Sequence, residues 1–399
     1  VILSILQDAG YCLTEDIEQA NIILANTCSI RDNAEQRIWG RIDQFKLQKR
    51  KRSDVIIGIV GCMAERLKDK LLDGSEVDLV AGPDSYRALP EMIEALTPDS
   101  PQINVLLSRE ETYADINPVR MDRNGISAFI SIMRGCNNVC SYCIVPYTRG
   151  AERSRDPYSI VREAKVLHDN GYKEITLLGQ NVDSYYWKSP EGEDKNVNFA
   201  QLLEMVAMIS PEVRVRFSTS HPKDISDEVI YTMAKYENIC KHIHLPVQSG
   251  SSIMLEKMRR KYNREWYLER VRKIRSVIPD CGLTTDVIAG FCGETEHQLG
   301  RERPTLAAEI ADVAYGNAGF LHDFAPYCLF CRFAGFHETC QARIILGIAS
   351  VVKCQQDVVA TLDQYYDTRF YARVDCVATF GTNERCFLLC GTRNQSCAA

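Results

Sequence analysis

At 399 residues, 45% apolar and 25% charged, the chain is too long for one hydrophobic core and too evenly mixed to be disordered or fibrous. A formal net charge of −6 gives no global attraction to nucleic acid, so any such partner needs a local basic face. No run of about 18 uncharged apolar residues appears, and Val1 to Leu6 lacks a basic flank and a cleavage site, so the expectation is a cytoplasmic monomer with no membrane partner.

In chain order, Val1 to Leu6 predicts an amphipathic helix already under way, which implies a segment upstream. Strands follow at Asn21 to Ala25, Val55 to Val60 and Val77 to Ala81, alternating with helices at Ala34 to Leu47, Glu65 to Leu71 and Ser85 to Leu96. That alternation is the pattern of a parallel, Rossmann-like α/β sheet. Polar Thr97 to Pro101 and a segment with Pro and Asp at Asp115 to Asp122 place a linker near residue 120.

The same grammar restarts with a strand at Ala128 to Met133. Asp156-Pro157 supplies an N-cap and a first-turn proline for a helix ending near Gly171, and a strand follows at Glu174 to Leu178. Helices at Phe199 to Ile209, Asp227 to Tyr236 and Arg264 to Val277 then alternate with strands at Val213 to Ser218, His242 to Val247 and Leu283 to Ala289. These β/α units predict a full or partial (β/α) barrel. Beyond about His297 the pattern is lost. The last hundred residues hold eight of the seventeen cysteines and one lysine against eight arginines, the signature expected of a coding sequence read out of register, which resequencing checks. The expected domains are 1–110, 123–335 and 336–399.

Seventeen cysteines in a secreted chain would suggest a disulfide framework, but no signal precedes them and the spacing points elsewhere. Cys136-x3-Cys140-x2-Cys143 puts three thiols in one loop after the first barrel strand, at the rim where barrel enzymes place their chemistry. Three thiolates can hold three irons of a 4Fe-4S cube, leaving the fourth iron open to the amino and carboxylate groups of S-adenosylmethionine. A structural zinc site would need a fourth ligand at suitable spacing, and none follows. Cys28 and Cys62 each follow a predicted strand of the first domain, so both thiols lie along one sheet edge; a second metal site and two ordinary buried thiols are both open readings. At the barrel rim, Gly179, Gln180 and Asn181 end the second strand, Ser218 the third, Gln248 and Ser249 follow the fourth, and Asp286 and Ile288 lie in the fifth. They are candidates for cradling a cofactor, although turns after strands need such residues anyway. No catalytic side chain is singled out.

Taken together, Asn26-Thr27-Cys28-Ser29-Ile30-Arg31-Asp32-Asn33-Ala34-Glu35, Gly61-Cys62-Met63-Ala64-Glu65-Arg66, the run from Ser131 to Gly150, His244 to Ser251 and Asp286 to Phe291 resemble the methylthiotransferase branch of the radical S-adenosylmethionine superfamily, over roughly residues 1 to 296. The resemblance implies two 4Fe-4S clusters, one binding S-adenosylmethionine at Cys136, Cys140 and Cys143, and an auxiliary one with Cys28, Cys62 and a third ligand upstream of Val1. Cys12 is not in that position. The resemblance also implies a tRNA substrate, a reducing electron donor, a C-terminal RNA-gripping β domain (TRAM) that is not recognisable after about Glu296, and conversion of N6-isopentenyladenosine next to the anticodon to its 2-methylthio form. Sister enzymes acting on threonylcarbamoyladenosine or on a ribosomal-protein aspartate are the nearest alternative, and the Ser-Ile-Arg-Asp-Asn-Ala run after Cys28 favours the isopentenyl substrate. A non-catalytic iron-sulfur or RNA-binding protein is the alternative from another class. Three basic runs are candidates for meeting RNA: Lys46, Lys49, Arg50, Lys51 and Arg52; Arg149, Arg153 and Arg155; and Lys257, Arg259, Arg260, Lys261 and Arg264. Each read alone is equally a solvated face.

Overall fold

Helices cover both faces of the first sheet, and its strand sequences show why. The computed structural model describes residues 1–29, 32–73, 76–97, 100–120, 125–295 and 385–390. The first domain runs α1 (Ile2–Asp8), β1 (Cys12–Leu13), β2 (Ile22–Thr27), α2 (Asp32–Lys51), β3 (Ile56–Gly61), α3 (Cys62–Leu67), β4 (Leu79–Ala81), α4 (Leu89–Glu94) and β5 (Gln102–Asn104). β2, β3, β4 and β5 pair in parallel in that order. Alternate strand residues serve opposite layers. Ile23, Ala25, Ile57 and Ile59 share a core with Ile38, Ile42 and Phe45 of α2, whereas Ile22, Leu24 and Val60 join Ile2, Leu3 and Leu6 of α1 and Met92 and Ile93 of α4. Both faces are apolar, as a parallel sheet between helix layers requires. β5 has no counterpart among the predicted strands, because it lies at the sheet edge with no buried residue and so carries no apolar alternation.

The second domain continues with β6 (Ser127–Ser131), β7 (Met133–Arg134), α5 (Val145–Arg149), β8 (Arg153–Ser154), α6 (Pro157–Asp169), β9 (Glu174–Leu178), β10 (Tyr186–Trp187), β11 (Val197–Asn198), α7 (Phe199–Ala207), β12 (Arg214–Ser218), α8 (Asp227–Lys235), β13 (His242–His244), α9 (Ser252–Lys257), α10 (Arg264–Val277) and β14 (Gly282–Thr284). β6, β9 and β12 are parallel, with Ser131, Leu178 and Ser218 level at their C-terminal ends. A parallel bridge from Val215 to Ile239 leads towards β13, which pairs in parallel with β14. This is the partial barrel expected. Asp156 caps α6 as its sequence predicts, accepting from the Ser159 N–H at 2.8 Å, and Pro157 opens the first turn.

Two strands are shorter than expected. β13 and β14 stop at His244 and Thr284, because the residues beyond turn into rim loops where Pro246 lacks a donor and Gln248 takes φ +70°. The predicted strand through Met133 also divides: after Ser131 the chain leaves the sheet, and β7 pairs antiparallel with β8. From the tail, β15 (Arg385–Cys390) inserts between β1 and β2, antiparallel to both. The rest of the expected 336–399 domain, and the question of its reading frame, lie outside the described residues. Among those described, no helix is long and apolar enough to cross a membrane.

Candidate active site

The β7–β8 ribbon closes residues 135–152 into a loop at the rim. Gly135 takes φ +71°, and a Cβ there would stand 2.1 Å from the Ala151 carbonyl oxygen, so only glycine lets the two legs of the loop approach this closely. Cys136, Cys140 and Cys143 are free thiols in this loop, the first two buried and the third half-buried. The Cys136 N–H donates to Gly150 O at 3.3 Å and the Cys143 N–H to Cys140 O at 3.0 Å, which folds the loop back on itself. Burial pushes the Cys136 thiol up to about 11 and moves Cys143 the same way, so both keep their protons at neutral pH unless a metal displaces them.

The loop is tied to both sides of the rim. On one side, Asn138 Nδ2 and Asn181 Nδ2 donate to the same Asp224 carboxylate at 3.3 and 2.7 Å, and Lys223 pairs with it. Asn181 ends the Gly179-Gln180-Asn181 turn, and the Gly179 N–H donates to Ser218 O at 3.0 Å. A Cβ on Gly179 would meet the Met133 sulfur at 2.7 Å. On the other side, the Gln248 N–H donates to Asp286 O at 2.9 Å and the Ile288 N–H to Gln248 O at 2.8 Å, with Ser249 buried beside them. Arg260 joins that side to the cysteines: its guanidinium donates to Cys140 Sγ, Tyr142 Oη and Pro246 O, each at 3.3 Å. The predicted rim residues therefore gather as two groups flanking the three thiols.

Asp183, His221 and Asp224 escaped the sequence reading, and Arg260 entered it only as part of a basic run. The signal existed, because Ser220-His221-Pro222-Lys223-Asp224 follows β12 just as Gly179-Gln180-Asn181 follows β9. Burial pushes Asp183 up to about 7. Burial, then the Arg260 charge, pushes His221 down to about 3, so it is neutral. Asp224 shifts down, since hydrogen bonds from Lys223 and Asn181 outweigh the opposing effect of burial. Gln180 Oε1, Asn181 Oδ1, Asp183 Oδ1, Ser220 Oγ and His221 Nε2 are buried without a hydrogen-bond partner. Buried polar atoms are normally satisfied, and such a concentration fits a polar ligand that completes them.

In the first domain, Cys28 and Cys62 follow β2 and β3, whose ends Thr27 and Gly61 are level. Arg149, at the end of α5 in the cysteine loop, reaches across and its Nε donates to Cys62 Sγ at 3.4 Å. Burial opposes the charge on Arg149, but the neighbouring Cys62, Tyr86 and Cys28 outweigh it and its pKa is raised. Among the described residues, no three His, Cys, Asp or Glu side chains stand close enough to share one metal ion. A cube gives each thiol its own iron, whereas a zinc site needs its ligands to meet at one ion, so three thiols in one loop with no fourth ligand beside them among the described residues suit a cluster. Cys28 and Cys62 are free cysteines, whereas Cys12 is disulfide-bonded.

The basic runs do not all face solvent. Arg153 and Arg155 are buried, paired with Asp84 and Glu163 at 3.0 and 2.6 Å, and Arg260 points inward as described. On α2, Lys46, Lys49, Arg50 and Lys51 pair with Asp43, Asp78, Glu76 and Glu18, and Arg52 donates to Ala20 O. Arg153, Arg155 and Arg260 serve the fold, which corrects their reading as RNA contacts, whereas Arg50 and Lys51 stay 67% and 64% exposed in long surface ion pairs.

Residues 130–301 match the Radical SAM superfamily, and residues 1–82 match uncharacterized protein family UPF0004. The class is thus a radical SAM protein with an added N-terminal α/β domain, a class that implies S-adenosylmethionine and a 4Fe-4S cluster. The tRNA-2-methylthio-N(6)-dimethylallyladenosine synthases of Amoebophilus asiaticus and Bacteroides thetaiotaomicron are each 58% identical, over 74% and 75% of this chain and 63% and 66% of their own lengths. That of Bacteroides fragilis is 56% identical over 79% of this chain and 68% of its own. The chain belongs to the tRNA-2-methylthio-N(6)-dimethylallyladenosine synthase family. It spans just under two thirds of the length of the first two relatives. Among solved structures, the cobalamin-dependent radical enzyme OxsB aligns with TM-score 0.53 at 14% identity, over 77% of this chain and 45% of that one. The methyltransferase TsrM of Kitasatospora setae aligns with TM-score 0.51 at 15% identity, over 68% and 58%. These two likenesses concern the fold alone.

Proposed function

We propose that the chain is the catalytic part of a tRNA methylthiotransferase that converts N6-isopentenyladenosine next to the anticodon to its 2-methylthio derivative. The observation that carries this reading is the rim itself, where three free thiols in one loop are flanked by buried polar atoms that lack partners. Cys136, Cys140 and Cys143 would hold the cluster, with Arg260 balancing the charge on Cys140. Gly179, Gln180, Asn181 and Ser218 on one side, and Gln248, Ser249, Asp286 and Ile288 on the other, would orient S-adenosylmethionine. When bound, the cluster and cofactor supply radical chemistry, which an inert aromatic C–H requires. His221 is neutral there, and burial leaves Asp183 partly protonated near neutral pH. Cys28 and Cys62, the latter held beside the loop by Arg149, would contribute to an auxiliary cluster. The domain division at 1–110, 123–335 and 336–399, the reducing electron donor, the monomeric state and the cytoplasmic setting belong to the same reading.

The test is reconstitution under anaerobic conditions, with iron counted and 5′-deoxyadenosine measured. Replacing Cys136, Cys140 and Cys143 by Ala is expected to remove about four irons, one cube's worth, and all 5′-deoxyadenosine. Iron content and product that survive the triple replacement would refute the reading.

A further inference from the structure

Of the three basic runs, the third presents exposed cations at the mouth of the barrel. Lys257, Arg259 and Lys261 are exposed, and Arg259 and Lys261 have no acidic partner among the described residues. The backbone between them is unusual. Arg259 and Lys261 take φ +57° and +58°, a left-handed conformation that residues with a Cβ rarely adopt. Arg260, between them, is buried against Cys140. Two left-handed residues thus turn one arginine inward and its two neighbours outward. Glycine would take that backbone without strain, yet both positions carry cations. Local strain kept at a site is a reason to look for a role there.

The segment is also fixed to the cysteine loop. Ser141 Oγ donates to Lys257 O at 2.9 Å, and the Ser141 N–H donates to Met258 O at 3.1 Å. Whatever the outward cations hold is therefore held at a set place relative to Cys140 and Cys143.

We propose that Arg259 and Lys261, with Lys257 beside them, form a phosphate-binding edge that seats the RNA backbone over the barrel mouth. The proposal rests on the methylthiotransferase reading and adds to it the surface that grips the substrate. Phosphate contacts position a nucleic acid without reading its bases, so this edge sets where the RNA lies, not which base is modified.

The test is the salt dependence of binding of an anticodon stem-loop RNA carrying N6-isopentenyladenosine, and of a scrambled stem-loop of equal length. Arg259→Gly and Lys261→Gly suit the left-handed backbone, so each variant should be at least as stable to heat as the parent. Each should nevertheless lower the slope of log K against log salt by about 0.7–0.9, and the double variant by about twice that, equally for both RNAs. Arg259→Lys should restore the slope, because the contact is with charge. Arg259→Asn tolerates the same backbone and serves if a glycine variant does not fold. Unchanged slopes in the double variant, with the parent binding RNA, overturn this inference alone. A parent that binds neither RNA overturns the functional reading with it, and loss confined to the modified stem-loop overturns the phosphate assignment.

Discussion

Replacing Asp84 by Asn should damage the fold far more than its single-atom change suggests. The Asp84 side chain is completely buried in the turn after β4, where its carboxylate accepts from Arg134 and Arg153 of the barrel, each at 3.0 Å, and from the Ser108 N–H at 3.1 Å. Both arginines are largely buried, and Arg153, lowered by its burial, is held charged against that burial by Asp84 first of all. Removing one partner of a buried pair leaves an uncompensated charge and costs about 3–5 kcal/mol. Here one carboxylate serves two guanidiniums, so the upper end of that range applies. Arg134 keeps only its contact with the Tyr113 ring, 4.8 Å away, and a bond to Pro83 O, neither of which neutralises it. Urea unfolding of the metal-free protein, followed by tyrosine and tryptophan fluorescence, gives the loss directly. Replacing all three residues with apolar ones of similar size, Asp84→Leu with Arg134→Met and Arg153→Met, should recover most of it, since no buried charge remains. A loss below about 1 kcal/mol for Asp84→Asn, or a triple variant no better than the single one, would refute the argument.

Burial holds Asp183 at about 7 in the folded chain against 3.8 without it, so between those values the native state keeps a proton that the unfolded state has lost. Its contribution to stability is complete below about pH 4 and is lost as pH rises through 7, by on the order of 4 kcal/mol; Asp183→Asn should flatten that part of the profile, and an unaltered profile in urea titrations from acid to neutral pH would contradict it. Glu65, also raised to about 7 by burial, adds a separate decline that Asp183→Asn leaves in place. Gly135 and Gly290 both have positive φ, but a Cβ on Gly135 strikes backbone at 2.1 Å while one on Gly290 meets nothing. Gly290→Ala should therefore cost only the conformational 1–2 kcal/mol, roughly, and Gly135→Ala clearly more together with iron retention; equal urea midpoints for the two would show that the close approach is not needed.

The alternating elements were legible because each carries its own period. α10 and β9 begin and end where the apolar spacing places them, and Asp156-Pro157 marked the start of α6 to the residue. β5 was not legible, since a three-residue edge strand with no buried face has no pattern to read. The three barrel-rim cysteines were visible as a spacing, and Gly179 to Asn181 as a turn after a strand. What spacing could not show is the fate of a charge. Arg260 and Lys261 are neighbours in one basic run, yet the first is buried against a thiol and the second is exposed, because a left-handed backbone reverses direction between them. Arg149, Arg153 and Arg155 read as a basic patch for the same reason: sequence shows the cation but not the sulfur of Cys62, the carboxylate of Asp84 or that of Glu163 that meets it in the fold.

That last point bears on how the two cysteine sets are held relative to each other. Cys62 belongs to the sheet domain and Cys136, Cys140 and Cys143 to the barrel, so their spacing depends on the join between domains. The main ties of that join come from one segment. Arg134 and Arg153, the feet of the cysteine loop, enter Asp84; Arg149, inside the loop, reaches Cys62; and Arg153 also donates to Ser108 O. The loop that would carry the radical-generating cluster is thus the same piece of chain that fixes the sheet domain in place. A loop built this way cannot act as a swinging lid, because moving it would expose two buried arginines and strand Asp84. Any access to the site would therefore have to open without moving that loop, past the exposed cations Arg259 and Lys261 whose segment is itself hydrogen-bonded to the loop through Lys257 O and Met258 O.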